Sequence, residues 1–433
     1  MFGYYLNLAL RSFKRNKVLT ALMVLAIALG IGACMTTLTL FHVLSSDPIP
    51  DKSQRLFHVQ LDPEPLRGMV PGEEPAQQLT RFDAEALLRE KRAQRQAMMT
   101  GGWASITPER ADLPPFFGDA RYTSADFFAM FDAPFRHGGG WSVGDDEAAA
   151  RIAVISSALN ERVFGGGDSV GQSLLIGGSQ FRIVGVLDSW RPTPRFYDLN
   201  SSRYGELEDV FLPFSTSREL ELGRSGSMDC WADAGNSDTA LNAPCVWIQY
   251  WVELESPAHG ADYKAYLDNY SAQQKAAGRF EREPHTRLRD VMDWLDFNRV
   301  VPRDVVMQLW LGLGFLLVCL LNTVGPLLAK FLRRSGEIGV RRALGAPRRE
   351  IFRQFLIEAG MVGLSGGVLG LGLAQLGLWA IRQQPGGDSA LARMDSTMLL
   401  VTFALAIGAS VLAGLLPAWR AMQVTPAMQL KSQ

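Results

Sequence analysis

The sequence predicts a membrane protein with four transmembrane α-helices, arranged one plus three, and a large α+β domain inserted between the first and the second helix. Two observations predict this class. Long apolar runs occupy residues 18–44, 305–329, 356–381 and 397–417. The 433-residue chain has a net charge of −1, but residues 45–304 alone carry 39 acidic and 27 basic side chains. The near-zero net charge of the whole chain is therefore the sum of an acidic polar domain and basic segments beside the membrane runs.

Each apolar run is long enough to cross the roughly 30 Å hydrocarbon core of a bilayer as a helix. Glu358 is the only acid or base in the last three runs. For the first run the alternative is a cleaved signal peptide, because four basic residues precede it and residues 31–34 resemble a lipoprotein cleavage box. The run continues past Cys34, whereas a signal core is about 7–15 residues long. We therefore expect a retained helix.

Charge predicts the orientation of these helices. Residues 1–17 carry four bases and no acid, and residues 330–355 carry eight bases against two acids. The loop at residues 382–396 is balanced, and residues 418–433 carry two bases and no acid. By the positive-inside rule both termini and the basic connection are cytoplasmic. We expect a multi-pass protein of the bacterial inner membrane in which residues 45–304 form an external, periplasmic core domain, with two lobes as the expected arrangement.

Cysteine placement agrees with this topology. Cys34 and Cys319 lie inside apolar runs, where a thiol behaves as a small hydrophobe. Cys230 and Cys245 both lie in the external domain, where a disulfide can form. We expect that disulfide, with two free thiols as the alternative.

The external domain has the pattern of an α+β fold. Residues 151–155, 173–187, 210–214 and 246–254 are rich in β-branched and aromatic residues and read as strands, the second as a hairpin. Residues 82–99, 157–164, 262–277 and 286–298 read as helices, the last as a stalk running into the second membrane helix. Strands and helices do not alternate regularly, which favours α+β over α/β.

The sequence contains no recognisable catalytic or metal-binding motif. The five histidines are scattered without metal-ligand spacing, and the cysteines form no CxxC pair. Residues 363–367 fit GxSxG but lie within an apolar run rather than at a strand-to-helix turn. The glycine run at 165–167 lacks the Lys-Ser/Thr of a phosphate-binding loop. We expect a chain that is not an enzyme, that binds no cofactor or metal itself, and that has no basic excess for nucleic acid.

Small residues in the membrane runs point to close helix packing. Gly363 with Gly367 and Gly366 with Gly370 give overlapping GxxxG spacings in the third run, and a small pair occurs in the first run, Ala26 with Gly30. Such spacings let two helix backbones approach closely. These spacings fit helix packing within the chain and an interface with a second copy equally, and both alternatives stay open.

Three stretches, in order, carry a family resemblance. Residues 334–351 read RSGEIGVRRALGAPRREI, residues 124–186 contain SADFF, IAVIS, FGGGD and VGV, and residues 417–430 read PAWRAMQVTPAMQL. They closely resemble the REIGxRRALGA signature, the periplasmic core domain and the C-terminal motif of the MacB/FtsX-like family of ABC transporter permeases. Gly139-Gly140-Trp141 departs from the family's usual Gly-Arg-x-Phe turn. The resemblance spans nearly the whole chain.

The resemblance implies a permease subunit that works by mechanotransmission: ATP hydrolysis at the inner face moves the external domain, and the substrate need not cross the membrane. It implies two copies of a cytoplasmic ABC ATPase, which use ATP and Mg²⁺ and act in trans because the sequence shows no fused ATPase. It also implies a second permease copy or paralogue in contact with membrane lipid. A periplasmic adaptor with an outer-membrane channel, the transported substrate, and homodimer against heterodimer stay open.

The basic connection is where we expect coupling to the ATPase. Gly345 and Pro347 break it into two pieces, the second being residues 348–355. Arg333 and Arg334 are explained by topology alone, but an acid at 337 adds nothing to orientation and could pair with Arg341 at i+4 or contact the ATPase. The expected coupling surface consists of Glu337, Arg341, Arg342, Ala343, Leu344, Gly345 and Ala346.

Two functions from different classes compete. The first is a permease of an ABC exporter, favoured by the size of the external domain and by the four helices. The alternative is an FtsX-like signalling permease whose external domain senses or activates a periplasmic partner without transport. A membrane-anchored periplasmic enzyme is a third, for which we find no site. The sequence predicts efflux or extrusion and leaves export against signalling open.

Overall fold

The computed structural model describes Phe13 and residues 17–110, 112–201, 203–383, 394 and 396–423. Most of the predicted N-terminal segment 1–17, most of the loop 382–396, and residues 424–433 of the predicted tail lie outside the described residues. Two compact units are present. One is the external domain, Ser46–Val300, and the other is the membrane unit formed by the described residues on either side of it.

Within the described residues the membrane unit contains four long helices and one short helix, and the helices of the external domain have 4 to 17 residues. A 3₁₀ turn at Pro257–His259 precedes the seventh helix. In chain order they are α1 (Lys17–Ser45), α2 (Arg81–Glu90), α3 (Phe127–Met130), α4 (Val143–Glu147), α5 (Ser157–Phe164), α6 (Phe214–Glu219), α7 (Gly260–Ala276), α8 (Val291–Phe297), α9 (Arg303–Leu332), α10 (Ser335–Ala343), α11 (Arg348–Arg382) and α12 (Ser396–Met422).

Thirteen strands form one mixed sheet in the external domain, ordered β13-β1-β12-β3-β4-β9-β6-β8-β5, with β2, β7, β10 and β11 attached beside this path. The strands are β1 (Leu56–Gln60), β2 (Leu79–Thr80), β3 (Arg95–Thr107), β4 (Phe116–Thr123), β5 (Phe135–Gly138), β6 (Ile152–Ile155), β7 (Ser173–Ile176), β8 (Ser179–Leu187), β9 (Val210–Pro213), β10 (Arg224–Ser225), β11 (Asp229–Cys230), β12 (Cys245–Glu253) and β13 (Arg287–Asp290). Most pairs are antiparallel, but β4 with β9 and β6 with β8 run parallel. The α+β pattern read from the sequence is present.

Four of the helices, α1, α9, α11 and α12, are long and apolar enough to cross a membrane. Their ends extend beyond the apolar runs because charged residues continue the helix at the bilayer surface. The clearest case is α11, which begins at Arg348 after Pro347. Residues 348–355 are therefore the first turns of a membrane helix, not the separate short piece that the sequence suggested.

Two predicted helices of the external domain are wrong in part. The helix expected at 82–99 ends at Glu90, because Lys91 adopts a left-handed conformation and Arg95 starts the central strand β3. The helix expected at 286–298 starts only at Val291, because Asp290 pairs with β1 and caps α8 by accepting a hydrogen bond from the Asp293 backbone N–H at 2.9 Å. Tertiary strand pairing overrides local helix propensity at both places.

The core of the external domain contains a buried histidine. His58 on β1 is stacked on Trp294, with ring centroids 3.7 Å apart, and meets Trp251 edge-on. Among the described residues neither of its ring nitrogens has a hydrogen-bond partner. Burial, with a smaller effect of Arg289, lowers the pKa of His58 to about 3. The native domain therefore holds this imidazole neutral.

We expect His58 to make the external domain less stable in acid. The unfolded chain binds a proton at an ordinary histidine pKa of about 6.5, whereas the native pKa is about 3, so stability falls as the pH drops through this window. The variant His58→Phe keeps the stacking and should lose this part of the pH dependence. Tryptophan fluorescence during thermal unfolding at pH 7 and pH 5 measures the difference. Equal pH dependence in both proteins would contradict the assignment.

Candidate functional site

The turn between α10 and α11 is built by its own sequence. The backbone N–H of Gly345 donates to the Arg342 carbonyl at 3.1 Å, and that of Ala346 donates to the Arg341 carbonyl at 3.0 Å. This pair of bonds is a Schellman motif, which needs a left-handed residue after the helix. Gly345 supplies it with φ +97°, and Pro347 then stands in extended conformation directly before α11. The turn therefore projects α10 from the end of a membrane helix in one defined geometry.

The variant Gly345→Ala is expected to loosen this turn. A side chain at φ +97° costs about 1–2 kcal/mol, so the two capping hydrogen bonds should open more often. Hydrogen–deuterium exchange of the Ala346 amide should become roughly tenfold faster, since 1.4 kcal/mol corresponds to a factor of ten. The matched control is Gly336→Ala, which lies within the helix α10 and should leave the turn unchanged or more protected. Unchanged exchange in Gly345→Ala would show that the turn does not depend on this glycine.

Arg341 connects α10 to α11. Its guanidinium donates to the Glu337 carboxylate at 2.7 Å and to the side-chain oxygen of Gln354 at 3.0 Å. Beneath it Ile338, Ile351 and other apolar side chains are buried. The cavity enclosed there is only about 10 Å³, which leaves no room for a ligand. Arg341 and Glu337 thus hold the helix in place, and Arg342 beside them is half-buried.

The outer surface of α10, beside the Glu337–Arg341 pair, is exposed and partly apolar. Val340 is 62% and Leu344 83% exposed, and Ala343 and Glu337 are exposed beside them. Leu344 directly follows α10, and its backbone N–H donates to the Val340 carbonyl at 3.0 Å. The two residues are thus one helical turn apart and form one continuous apolar patch. We call these two residues the apolar pair. Neighbouring apolar side chains that stay exposed are the kind of surface that a partner protein or a lipid covers.

Three charged side chains are buried where α9 and α11 pack. Lys330 donates to the Glu358 carboxylate at 2.8 Å and Arg334 donates to its other oxygen at 3.1 Å. The Lys330 side chain is fully buried and that of Glu358 is 2% exposed. Lys330 also lies 3.4 Å from the hydroxyl of Thr20 on α1. This buried triad of Lys330, Arg334 and Glu358 ties three membrane helices together directly beside α10.

Sequence reasoning missed two parts of this site. Val340 went unnoticed because it lies inside an arginine-rich motif, although its spacing from Leu344 was a usable signal. Glu358 was recorded as a lone acid in an apolar run and given no role. An ionisable residue in such a run demands a partner, and Lys330 and Arg334 at the end of the preceding run were the available cations.

The structure places the other predicted residues as follows. Cys230 and Cys245 form a disulfide that joins β11 to β12, while Cys34 and Cys319 are free and buried. Among the described residues no group of three or more histidine, cysteine, aspartate or glutamate side chains is arranged to hold a metal ion.

The small residues of the membrane helices lie at helix contacts within the chain. A side chain at Gly363 or Gly367 would meet α12 at Ser410 and Ala406. On the other side of α11, Gly366 and Gly370 face Ile27 and Ile31 of α1. Gly30 contacts α9, and Ala26 is half-buried. The two GxxxG spacings therefore serve two different neighbours of α11.

Four helices able to cross a membrane, a motif-bearing basic connection and an inserted α+β domain define a multi-pass membrane protein. Residues 20–270 match the MacB-like periplasmic core domain, and residues 310–426 match the FtsX-like permease C-terminal domain. The chain belongs to the MacB/FtsX-like family of ABC transporter permeases. The resemblance read from the sequence motifs and the predicted fold class are both confirmed.

Curated relatives match nearly all of this chain. The chain is 25% identical over 426 residues to the pyoverdine export ATP-binding/permease protein PvdT of Pseudomonas syringae pv. tomato, covering 96% of this chain and 58% of that protein. It is 23% identical over 438 residues to the macrolide export ATP-binding/permease protein MacB of Shigella boydii serotype 4, covering 98% of this chain and 60% of that protein. The chain thus spans somewhat over half the length of these relatives.

Among solved structures, the periplasmic region of MacB from Actinobacillus actinomycetemcomitans is similar. It matches with a TM-score of 0.37 and 10% identity, covering 59% of this chain and 96% of that one.

Proposed function

We propose that this chain is the permease subunit of an ABC exporter that works by mechanotransmission. A cytoplasmic ATPase docks on the exposed face of α10, and the motion that ATP hydrolysis produces reaches the external domain through the membrane helices. The observation that carries the proposal is the apolar pair, Val340 and Leu344, exposed at the end of a helix that is otherwise anchored. The chain itself hydrolyses nothing and binds no nucleotide.

The chemistry of the exposed face suits a protein partner. Burial of a large aliphatic side chain contributes about 1.5–3 kcal/mol, so the apolar pair can supply much of a docking interface. Glu337 and Arg341 add polarity at its edge but are already paired with each other at 2.7 Å. We assign docking to Val340, Ala343 and Leu344, and positioning to Glu337, Arg341 and the Gly345 turn.

Force transmission needs a stiff connection from α10 into the membrane. Arg341 joins α10 to α11 through Gln354, and the buried triad joins α11 to α9 and α1. Breaking one buried ion pair costs several kcal/mol because a charge is left uncompensated, so these helices move together rather than slide. A push on α10 is thereby delivered to the whole cytoplasmic end of the membrane unit.

The proposed assembly places both termini and α10 in the cytoplasm, as the excess of basic residues in 330–355 favours. We propose two copies of the ATPase, which use ATP and Mg²⁺, and a second permease, identical or paralogous. The relatives named for export of pyoverdine and of macrolides favour export over signalling. A periplasmic adaptor with an outer-membrane channel would complete an efflux pathway.

Co-purification of the full chain from its native membrane tests this assembly. We expect a cytoplasmic ATPase to accompany the wild-type chain and to be lost from the double variant Val340→Asp, Leu344→Asp. The conservative double variant Val340→Leu, Leu344→Met should retain it, because the exposed face stays apolar. Recovery of the same ATPase with both double variants would contradict docking at α10.

A further inference from the structure

The membrane unit has an apolar groove of about 320 Å³ between α11 and α12. Gly360 keeps the groove open, because a side chain added there would meet only a methyl group of Val411, at 3.9 Å. Beside the groove the two helices are in direct contact, since Gly363 packs against Ser410. The described lining residues are all apolar and include Ile357, Gly360, Leu364, Ile407 and Val411. The groove is therefore a surface feature of two packed helices, and Leu364 and Ile407 are exposed in it.

Two arginines continue the groove toward the end of α11 that follows α10. Arg349, Arg353, Ile357 and Gly360 recur every three or four residues, so they lie in one stripe along the helix. Both arginines are exposed, and neither side chain has an ion-pair or hydrogen-bond partner among the described residues. Glu350 is the one acid in these first two turns and is half-buried. This end of the groove therefore keeps a net positive charge.

The stripe has the length of one bilayer leaflet. From Arg353 to Leu364 the helix rises by about 16 Å, at 1.5 Å per residue. Half of the hydrocarbon core of a bilayer is about 15 Å thick. A phospholipid has the same arrangement, because its charged headgroup lies at the surface and its acyl chains fill one leaflet. The cations and the apolar groove therefore match the two parts of a lipid molecule.

The headgroup decides which lipid such a groove prefers. An acyl chain gains little free energy by leaving the bilayer for the groove, because lipid tails are as apolar as the side chains that line it. Arginines beside the bilayer attract anionic headgroups, and basic pockets between membrane helices are typical sites for them. A guanidinium can also donate two parallel hydrogen bonds to phosphate oxygens. Unpaired Arg349 and Arg353 therefore favour an anionic phospholipid over a neutral one.

The same charges disfavour a second copy of the chain in this groove. A symmetric dimer formed through the groove would bring the same surface of both copies together. The copies have the same orientation in the membrane, so the arginines of both would meet at the same depth. Like charges at close range repel each other. An anionic lipid neutralises these arginines instead.

We propose that the groove between α11 and α12 binds one anionic phospholipid. Its phosphate lies against Arg349 and Arg353, and one acyl chain covers Gly360 between Ile357 and Leu364. The proposal does not rest on the proposed function, because none of these residues belongs to the apolar pair of α10. A chain that no longer docks an ATPase still binds this lipid, so failure of either proposal is seen separately.

Native mass spectrometry of the full chain in detergent tests the headgroup contact. The probes are dioleoylphosphatidylglycerol, which is anionic, and dioleoylphosphatidylcholine, which has no net charge. We expect the first phosphatidylglycerol to bind about tenfold tighter than the first phosphatidylcholine. The double variant Arg349→Gln, Arg353→Gln should lose this preference. Equal affinity of the wild-type chain for both lipids would overturn the proposal.

A neighbouring arginine supplies the matched control for the headgroup contact. Arg348 is also exposed, but it lies on a different face of α11 from Arg353. Arg348→Gln removes the same charge and should keep the preference for phosphatidylglycerol, whereas Arg353→Gln alone should weaken phosphatidylglycerol about fivefold. All three side chains are exposed, so folding should not suffer. Equal losses in Arg348→Gln and Arg353→Gln would show an unspecific effect of surface charge and would overturn the site.

A variant that fills the groove tests the acyl-chain contact. Gly360→Leu places a side chain in the groove without a close contact and should weaken phosphatidylglycerol at least about fivefold. The matched control is Gly372→Leu, at an open position of the same helix outside the groove, and should leave the affinity unchanged. Unchanged affinity in Gly360→Leu would overturn the proposal. A change from dimer to monomer in Gly360→Leu, with unchanged lipid affinity, would assign the groove to a second copy and overturn it as well.

Discussion

Leu344→Asp is expected to lower the stimulation of the ATPase by the reconstituted complex at least about tenfold. The substitution removes the large apolar side chain directly after α10, which is 83% exposed. Losing its burial at an interface costs about 1.5–3 kcal/mol, and the new carboxylate would have to be desolvated as well. Addition of Val340→Asp should deepen the loss. ATP turnover of purified complexes in lipid nanodiscs, with and without each permease variant, measures the effect.

The control for this prediction is a similar change elsewhere. Leu241→Asp places the same charge at an exposed leucine of the external domain and should leave stimulation unchanged. Leu344→Met keeps the apolar surface and should retain most of it. Membrane insertion should be equal in all variants, because none of them alters a membrane-spanning residue. Full stimulation of ATP turnover in the complex with the Leu344→Asp variant would contradict docking of the ATPase on α10.

Glu358→Ala is expected to destabilise the membrane unit by about 3–5 kcal/mol. The variant leaves Lys330 fully buried without its carboxylate partner and also removes the carboxylate that pairs with Arg334. Removal of one member of a buried ion pair is costly because the remaining charge stays desolvated. Thermal or denaturant unfolding of the full chain in detergent, followed by helix circular dichroism, gives the change in stability.

A compensating variant distinguishes the charge effect from lost packing. Glu358→Leu combined with Lys330→Leu removes both buried charges and should recover much of the stability, because apolar pairs replace ion pairs at little cost. Arg334 is 11% exposed at its side chain and can turn toward the headgroups. Glu350→Ala, an acid in the first turn of the same helix, should change stability by under about 0.5 kcal/mol. If Glu358→Ala lowers the unfolding stability no more than Glu350→Ala does, the triad does not stabilise the membrane unit.

The membrane helices were predictable because a single property, apolar length, decides them. The charged ends were not, since α10 ends in the turn at Gly345 and α11 then begins at Arg348, directly after Pro347, and continues to Arg382 without a break. In the external domain the errors at 82–99 and 286–298 have one cause. Both stretches carry local helix signals, but each has residues that pair with neighbouring strands far away in sequence, which no local pattern reveals.

The candidate site was predictable as a segment but not residue by residue. The motif located α10, and Glu337 and Arg341 do pair four residues apart. Which face of α10 is free depends on Ile338 being buried against α11, a contact set by tertiary packing. The coupling surface predicted from the sequence includes Arg341 and Leu344 but not Val340. In the structure Arg341 is 32% exposed and bonds to Gln354 of α11, while Val340 and Leu344 are more exposed.

Site-specific photo-crosslinking tests the central claim most directly. A photoreactive residue is placed singly at positions 338, 340 and 344 of the full chain in its native membrane. Docking on the exposed face of α10 predicts crosslinks to the ATPase from 340 and 344, and none from the buried position of Ile338. Crosslinks to the ATPase that arise from other cytoplasmic positions but from neither 340 nor 344 would contradict it.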